Sequence, residues 1–326
     1  RLCFLFACAV FGGTATTGLA ASINNDVIFF SGPQVAFPEE TLTTPSGANV
    51  TIPAATRQVS GDPLIDGLAG DDILFMTSGN DHLDERGGNR IQNVEIIIMT
   101  DGDDFVFVTD TTDINLNGGF GNDLLVSGSG NDELVGSAGN DILDGGAGND
   151  ILRGGTGADI VYGGAGADTI IGDDTINPAN TDDDFYDGGS GNDGLQYIAP
   201  DRIGGVDTFR PGTGIDTLFF LSVVRPQDVT SQFVSLVGSI LTTEILVTNT
   251  LGTGVSQATI RLIEDVSQSD GGLEFISFSE TSEIFQRDSF LVSGPPTEVI
   301  PLPAAGWMLL AGLGAFGVLR RRNRAG

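Results

Sequence analysis

The residues best placed to do chemistry are aspartates that recur every nine positions. From Gly118 to Ile171 the chain reads GGFGNDLLV, SGSGNDELV, GSAGNDILD, GGAGNDILR, GGTGADIVY and GGAGADTII, six contiguous nonapeptides. Position four is always glycine and position eight is always aliphatic. Position six is always aspartate: Asp123, Asp132, Asp141, Asp150, Asp159 and Asp168. Three columns in register over 54 residues predict one repeated structural unit rather than glycine-rich low complexity.

The nine-residue spacing also predicts how these aspartates are arranged. Glycines permit the positive-φ conformations of a tight turn, and the three residues after each turn form a short strand whose middle side chain points inward. Two such units return the chain to the same side, so successive coils stack as parallel strands about 4.8 Å apart. Two rows follow, one along each edge: Asp123, Asp141 and Asp159, and Asp132, Asp150 and Asp168. Such rows repel unless a cation lies between the carboxylates, and hard oxygen ligands at ~2.3–2.6 Å suit Ca²⁺.

The motif resembles the RTX, or haemolysin-type, calcium-binding repeat GGxGxDxUx, over about residues 61–219. This resemblance implies an all-β fold, a parallel β-roll (an RTX solenoid) with short flanking β caps. It also implies that each ion lies between the turns of repeats n and n+2, bound by their aspartates and by turn carbonyls. About four or more Ca²⁺ ions follow from the pairs Asp123/Asp141, Asp132/Asp150, Asp141/Asp159 and Asp150/Asp168. The implied carbonyl ligands lie at Gly118, Gly136, Gly145, Gly154 and Gly163, whereas Ser127 and Ser137 replace turn glycines and predict weaker first sites.

Degenerate copies of the repeat flank the main block. Upstream, GLAGDDILF (67–75) and MTSGNDHLD (76–84) offer Asp72 and Asp81 to a partial site, whereas the next copy has Arg90 where aspartate is expected. Downstream, Asp193 in GGSGNDGLQ (188–196) fits the motif, and PGTGIDTLF (211–219) is a last copy. Between these copies, residues 94–108 predict two apolar strands around an acidic turn.

The two ends predict export and surface sorting. An apolar run from Leu2 to Phe11, followed by small residues, predicts a signal peptide cleaved after Ala20. At the other end, the motif 300–304 (IPLPA), an apolar helix over 304–319 and an arginine tail resemble the PEP-CTERM sorting signal in its VPLPA variant. That resemblance implies processing by an exosortase-type enzyme and delivery to the bacterial cell surface, with transient anchoring by the helix. A plain C-terminal membrane anchor is the alternative.

The remaining segments complete a domain prediction. Residues 21–60 and 204–292 are strand-like and are expected to cap the roll, because stacked repeats need protected ends. Position seven of alternate repeats carries an apolar stripe, Leu124, Ile142 and Ile160, which we expect the C-terminal β segment to cover. The predicted division is 1–20 signal peptide, 21–60 N-terminal β cap, 61–203 β-roll, 204–292 C-terminal β segment, and 293–326 linker and sorting signal.

Charge and composition narrow the functional class. The formal net charge is −30, and the 14 basic residues are all arginine. A chain this acidic repels nucleic acid and attracts cations, although a solvated surface of the salt-adapted kind has the same composition. Both cysteines lie in the predicted signal peptide, which excludes disulfides and thiolate metal sites from the mature chain.

We find no catalytic motif in the sequence. The single histidine, His82, lies at an outward strand position, and neither HExxH nor GxSxG occurs. About 40 residues before the repeats are too few for a catalytic domain. The sequence therefore predicts a secreted structural or adhesive protein that folds on binding Ca²⁺, not an enzyme. A cell-surface or matrix polysaccharide is a candidate partner. The alternative is a secreted enzyme, or part of one, that uses the roll as a folding and secretion module.

Overall fold

The computed structural model describes residues 33–59, 64–67, 70–87, 90–109, 111–172, 182–197, 205–220, 229–237, 239–249, 256–265, 272–278 and 283–286, with two short strands before them. The strands up to the main repeats are β1 (Leu19–Ala20), β2 (Val27–Phe29), β3 (Gln34–Phe37), β4 (Glu40–Thr43), β5 (Asn49–Ile52), β6 (Ala55–Val59), β7 (Leu64–Asp66), β8 (Ile73–Phe75), β9 (Asp81–Asp84), β10 (Arg90–Gln92), β11 (Ile96–Ile98) and β12 (Phe105–Phe107). The repeats supply β13 (Asn115–Phe120), β14 (Leu124–Val126), β15 (Glu133–Ala138), β16 (Ile142–Asp144), β17 (Ile151–Thr156), β18 (Ile160–Ala165), β19 (Thr169–Gly172), β20 (Phe185–Ser190) and β21 (Gly194–Tyr197). The last strands are β22 (Val206–Arg210), β23 (Asp216–Phe220), β24 (Val229–Val237), β25 (Ile240–Asn249), β26 (Ser256–Asp265), β27 (Leu273–Phe278) and β28 (Glu283–Gln286). Among the described residues the only helical element is a 3₁₀ turn at Glu85–Gly87.

Alternate strands form two sheets that face each other across the core. Sheet I has the order β2-β8-β11-β13-β15-β17-β19-β21-β23-β27-β28. Sheet II has the order β24-β25-β26-β22-β20-β18-β16-β14-β12-β9-β6-β3. Within the repeats every pairing is parallel, as between β14 and β16 or between β15 and β17. The all-β fold class and the parallel β-roll are therefore confirmed.

The repeat length sets the register of the roll. Paired residues between β15 and β17 are 18 positions apart, as Glu133 and Ile151 are, which is two nonapeptides per coil. Where the chain carries insertions the coil is longer, and Thr169 pairs with Gly194. The position-eight side chains point inward and have no exposed surface: Leu125, Leu134, Leu143, Leu152, Val161 and Ile170. The core is thus a stack of aliphatic layers, one layer per coil.

The two apolar strands predicted around an acidic turn in residues 94–108 are present as β11 and β12, and they form one coil of the roll. β11 pairs with β8 and β13 in sheet I, and β12 pairs with β9 and β14 in sheet II. The acidic stretch between them is the turn of one coil. The sequence does not show this coil as a repeat. Ile96 pairs with Asn115, 19 residues later, so the coil is one residue longer than two nonapeptides.

The N-terminal strands cover sheet II. β4 and β5 form a separate hairpin whose Leu42, Val50 and Ile52 pack on the outer face of sheet II. The side chains beneath them are Phe105, Phe107, Leu124 and Val126, with Ile142 at the margin. The expectation that the C-terminal segment covers this stripe is therefore wrong at Leu124 and Ile142, whereas Ile160 lies outside this cluster. That segment instead extends the sheet, because β26 pairs with β22 in parallel and β25 and β24 follow antiparallel.

His82 packs between two aromatic rings of sheet II. It faces outward from sheet II, yet only 7 % of its surface is exposed, because the rings of Phe37 and Phe105 stack on it at 4.0 and 4.4 Å. Burial lowers the pKa of His82 to about 4, opposed by the charge of Asp84. The imidazole is therefore neutral at physiological pH and serves as a packing residue.

The predicted targeting segments lie almost wholly outside the described residues. These are the signal peptide, except for Leu19–Ala20, and residues 293–326 with the apolar helix and the arginine tail. Among the residues that are described, no helix is long and apolar enough to cross a membrane.

Candidate calcium site

The turn aspartates form two hydrogen-bonded rows along the edges of the roll. The backbone N–H of Asp123 donates to Oδ1 of Asp141 at 2.8 Å, and that of Asp141 donates to Oδ1 of Asp159 at 2.8 Å. We call the row beside sheet II row II; it contains Asp81, Asp104, Asp123, Asp141, Asp159, Asp184 and Asp207. Row I, beside sheet I, contains Asp132, Asp150, Asp168, Asp193 and Asp216. Each carboxylate except that of Asp81 thus ties its own coil to the preceding one.

Only one oxygen of each carboxylate is needed for this tie. The other oxygen, Oδ2, is buried in both rows and has no hydrogen-bond partner among the described residues at Asp104, Asp123, Asp141, Asp150, Asp168 and Asp193. A buried carboxylate oxygen without a donor is costly, because it loses the water that solvates it in the unfolded chain. The arrangement therefore calls for a cation or a proton at each of these turns.

Burial raises the pKa values of these carboxyl groups, because the charged form loses its solvation. Burial raises the pKa of Asp141 to about 7 and that of Asp150 to about 8, against the N–H bond from the preceding coil, and nearby carboxylates add to the rise. For the other members of the set burial is again the main cause, with pKa values of about 8 at Asp104, about 6 at Asp123, about 6 at Asp168 and about 9 at Asp193. Like charges 18 residues apart in the chain, and one coil apart in space, oppose each other's ionisation.

Except at Asp104, the unpartnered oxygens border the position that a Cβ would take on the first glycine of the turn. A Cβ on Gly136 would lie 2.4 Å from Oδ2 of Asp141 and 2.6 Å from the carbonyl oxygen of Gly154, one coil further on. A carboxylate oxygen and a backbone carbonyl from adjacent coils thus converge where only glycine leaves room. The same pair of oxygens meets beside Gly118 (Asp123 and Gly136), Gly145 (Asp150 and Gly163), Gly163 (Asp168 and Gly188) and Gly188 (Asp193 and Pro211).

This donor set fits a hard cation. Among the described residues no three His, Cys, Asp or Glu side chains converge on one point, so a metal site here also depends on carbonyl oxygens. Carboxylate and carbonyl oxygens in combination are the ligands that Ca²⁺ takes. The predicted glycines Gly118, Gly136, Gly145 and Gly163 each border such a space, and the Cβ of Gly154 would lie 2.4 Å from Oδ2 of Asp159.

The two upstream aspartates differ from each other. Asp72 resembles the main repeats, since a Cβ on Gly67 would lie 2.4 Å from its Oδ2. Asp81 is satisfied internally, because the hydroxyl and N–H of Thr77 donate to Oδ2 at 2.9 and 2.6 Å. The upstream partial site thus keeps a glycine beside Asp72, as in the main repeats, whereas the carboxylate of Asp81 is bonded to Thr77.

Sequence reasoning missed a second polar ladder beside the first. At position five, Oδ1 of Asn122 accepts the N–H of Asn140 at 2.9 Å, and Oδ1 of Asn140 accepts the N–H of Ala158 at 3.0 Å. Asp103 belongs to the same ladder, since its Oδ1 accepts the N–H of Asn122 and its own N–H donates to Oδ1 of Asn80 at 3.1 Å. The recurrence of asparagine at position five in the first four repeats was the available signal.

Comparison with known proteins agrees with the geometry. Residues 60–83, 117–152 and 144–177 match the RTX calcium-binding nonapeptide repeat (4 copies). Residues 299–324 match the PEP-CTERM protein-sorting motif, which exosortases recognise. No curated protein matches the chain. The two matches indicate a secreted, surface-sorted calcium-binding protein built on an RTX β-roll.

Proposed function

We propose that the protein is a structural or adhesive component of the bacterial cell surface whose β-roll closes when Ca²⁺ binds in the aspartate turns. The observation that carries this proposal is the set of buried, unpartnered Oδ2 atoms with raised pKa values. Without a cation, these carboxylates either remain protonated or destabilise the roll. With Ca²⁺ present, the binding free energy becomes folding free energy.

The proposed ligands are the turn aspartates Asp123, Asp132, Asp141, Asp150, Asp159, Asp168 and Asp193, with Asp72 upstream, and the carbonyls of the position-one glycines. Asp81 belongs to the proposed roll but is already bonded to Thr77. We propose four or more ions. Extracellular modules often bind Ca²⁺ at ~10⁻⁴–10⁻³ M, so the chain would stay open inside the cell and close after export.

The roll is proposed to occupy residues 61–203 between the N-terminal cap (21–60) and the C-terminal β segment (204–292). Export by a signal peptide over 1–20, and transient anchoring by the apolar helix before an exosortase-type enzyme processes the chain, complete the proposal. A cell-surface or matrix polysaccharide is the proposed partner for adhesion.

The experiment is a Ca²⁺ titration of the metal-stripped protein, followed by far-UV circular dichroism with Mg²⁺ as the control. A coil-to-β transition with Ca²⁺ alone supports the proposal. A chain that is already fully folded without metal and unchanged by Ca²⁺ rules it out. Ca²⁺-dependent attachment of the folded protein to cells or to isolated matrix then tests the adhesive role.

The second candidate is a secreted enzyme, or an enzyme component, that uses the roll as a folding and secretion module. The long antiparallel strands β24, β25 and β26 favour it, since they form a segment outside the repeats. Activity released into the medium on polysaccharide or ester substrates would support this candidate over the adhesive role.

A further inference from the structure

The turns of Asp104, Asp123 and Asp141, whose Oδ2 atoms have no hydrogen-bond partner, are called open turns below. In several other turns of the roll a side-chain hydroxyl donates to an oxygen of the turn. In row II, the hydroxyl of Tyr186 donates to Oδ2 of Asp184 at 2.9 Å, and that of Tyr197 donates to Oδ2 of Asp207 at 2.8 Å. Both tyrosines project from the core and are at most 2 % exposed. In these two turns Oδ2 therefore accepts a hydrogen bond from the protein, whereas in the open turns it has no partner.

The upstream end of row II is closed in the same way. Oγ1 of Thr77 donates to Asp81, and its distances to the two carboxylate oxygens are 2.8 and 2.9 Å. Row II therefore has hydroxyl-bonded carboxylates at both ends, Asp81 on one side and Asp184 and Asp207 on the other. The open turns of Asp104, Asp123 and Asp141 lie between these ends.

In row I a side-chain hydroxyl bonds the backbone carbonyl oxygen rather than the carboxylate oxygen. Ser127 stands where the other nonapeptides of the main block have their first glycine, and it has no exposed surface. Its Oγ donates to the carbonyl oxygen of Gly145 at 2.8 Å. The Gly145 carbonyl is related to Ser127 as the Gly154 carbonyl is related to Gly136, because each lies one coil after the first residue of the turn. The serine side chain thus takes up both the space and the carbonyl that an ion would use.

We propose that Thr77, Ser127, Tyr186 and Tyr197 replace Ca²⁺ in their turns and confine the ions to the remaining turns. The inference rests on the proposed calcium sites, and it removes from their ligands Asp132, the aspartate of the turn that Ser127 begins. A hydroxyl donates one proton to an oxygen that would otherwise coordinate the ion, so this oxygen has a donor at any Ca²⁺ concentration. The oxygens concerned are those of the Asp81, Asp184 and Asp207 carboxylates and the Gly145 carbonyl. The repeats are therefore not equivalent. The carboxylates at the two ends of row II are hydrogen-bonded without metal, whereas those at its centre require Ca²⁺ to be satisfied.

The first test exchanges the residue that distinguishes a closed turn from an open one. Bound Ca²⁺ per full-length chain is measured by calorimetric titration for the wild type, Ser127→Gly and Gly145→Ser. We expect one more ion in Ser127→Gly and one fewer in Gly145→Ser. Ser129→Gly is the matched control, because Ser129 belongs to the same turn but is exposed, and it should bind as the wild type does.

The second test measures metal-free order with hydrogen exchange in metal-stripped buffer. We expect Phe185–Ser190 and Val206–Arg210 to exchange about tenfold more slowly than Ile142–Asp144, which follows the open turn of Asp141, in the wild type. The variant Tyr186→Phe/Tyr197→Phe should lose this difference, because each substitution removes a buried donor to a carboxylate.

The outcomes separate the two proposals. A wild-type chain that binds no Ca²⁺ overturns the calcium function. A wild-type chain that binds Ca²⁺, with the same number of ions in Ser127→Gly and Gly145→Ser, overturns the inference alone. Equal exchange rates at the ends and centre of the metal-free wild type also overturn it.

Discussion

The carboxylate of Asp141 accepts the backbone N–H of Asp123 through Oδ1, at 2.8 Å, while its Oδ2 is buried beside Gly136. One side chain thus has two separable roles. The first oxygen joins two coils whether or not metal is present, and the second is available to a cation. Substitutions that affect only one of these oxygens can distinguish a structural aspartate from a ligand.

Replacing Asp141 and Asp150 by asparagine keeps the acceptor that joins the coils and removes the charge. We expect Ca²⁺ affinity to fall by about 10- to 100-fold, the equivalent of the ~1.5–3 kcal/mol of a bond to a charged group. We also expect more β structure without metal, because two buried charges are gone. Calorimetric titration and far-UV circular dichroism measure the two effects. Glu133→Gln, an exposed change of the same charge, is the control, and an affinity equal to that of the wild type in the double variant would argue against a ligand role.

Acidification should partly replace calcium. The folded-state pKa values of Asp141 and Asp150, about 7 and about 8, lie above the ~3.9 of an unfolded chain. The folded chain therefore binds more protons, so this contribution to stability is fully present below about pH 4 and is lost as the pH rises through 7 to 8. We expect metal-stripped protein to gain β structure between pH 8 and pH 5, followed by circular dichroism. No gain over that range would contradict the raised pKa values.

Filling the space beside Gly136 should remove one ion. In Gly136→Ala the new Cβ would meet Oδ2 of Asp141 at 2.4 Å and the carbonyl of Gly154 at 2.6 Å, so the neighbours must shift. Gly79→Ala is the matched control, since nothing lies within 4 Å of its Cβ and its backbone is not in the positive-φ region. We expect Gly136→Ala to bind one ion fewer and to lose about 1–3 kcal/mol of stability, and the control to match the wild type. Equal Ca²⁺ binding by the two variants would show that the space holds no ion.

The regular part of the roll could be predicted from the sequence because its causes are local. The nine-residue period places Leu125 and Leu143 in the core and Asp123 and Asp141 in one row, and each depends only on residues within a coil. The coil that contains Asp104 was missed, since insertions break the period on both sides of it. Asp104 nevertheless accepts the N–H of Asp81, 23 residues earlier.

The covering hairpin could not be predicted, because its contacts are long-range. The hydroxyl of Ser46 donates to Oδ2 of Asp144, 98 residues later, and burial raises the pKa of Asp144 against this bond. The sequence shows an apolar stripe that needs a cover, but two strand-like segments could supply it. Which segment packs there depends on chain geometry that no local pattern records.

The hairpin's contribution to stability can be measured at Leu42. Its side chain is 5 % exposed and packs on the outer face of sheet II with Val50, so Leu42→Ala should cost about 2–4 kcal/mol. Thr41→Ala is the control on the same strand, because Thr41 points to solvent and its loss should change stability by no more than about 0.5 kcal/mol. Denaturant unfolding in saturating Ca²⁺ measures both, and binding of a hydrophobic dye should rise in Leu42→Ala alone as Leu124 and Phe107 become exposed. Equal stability of the two variants would mean that the hairpin does not stay on sheet II in solution.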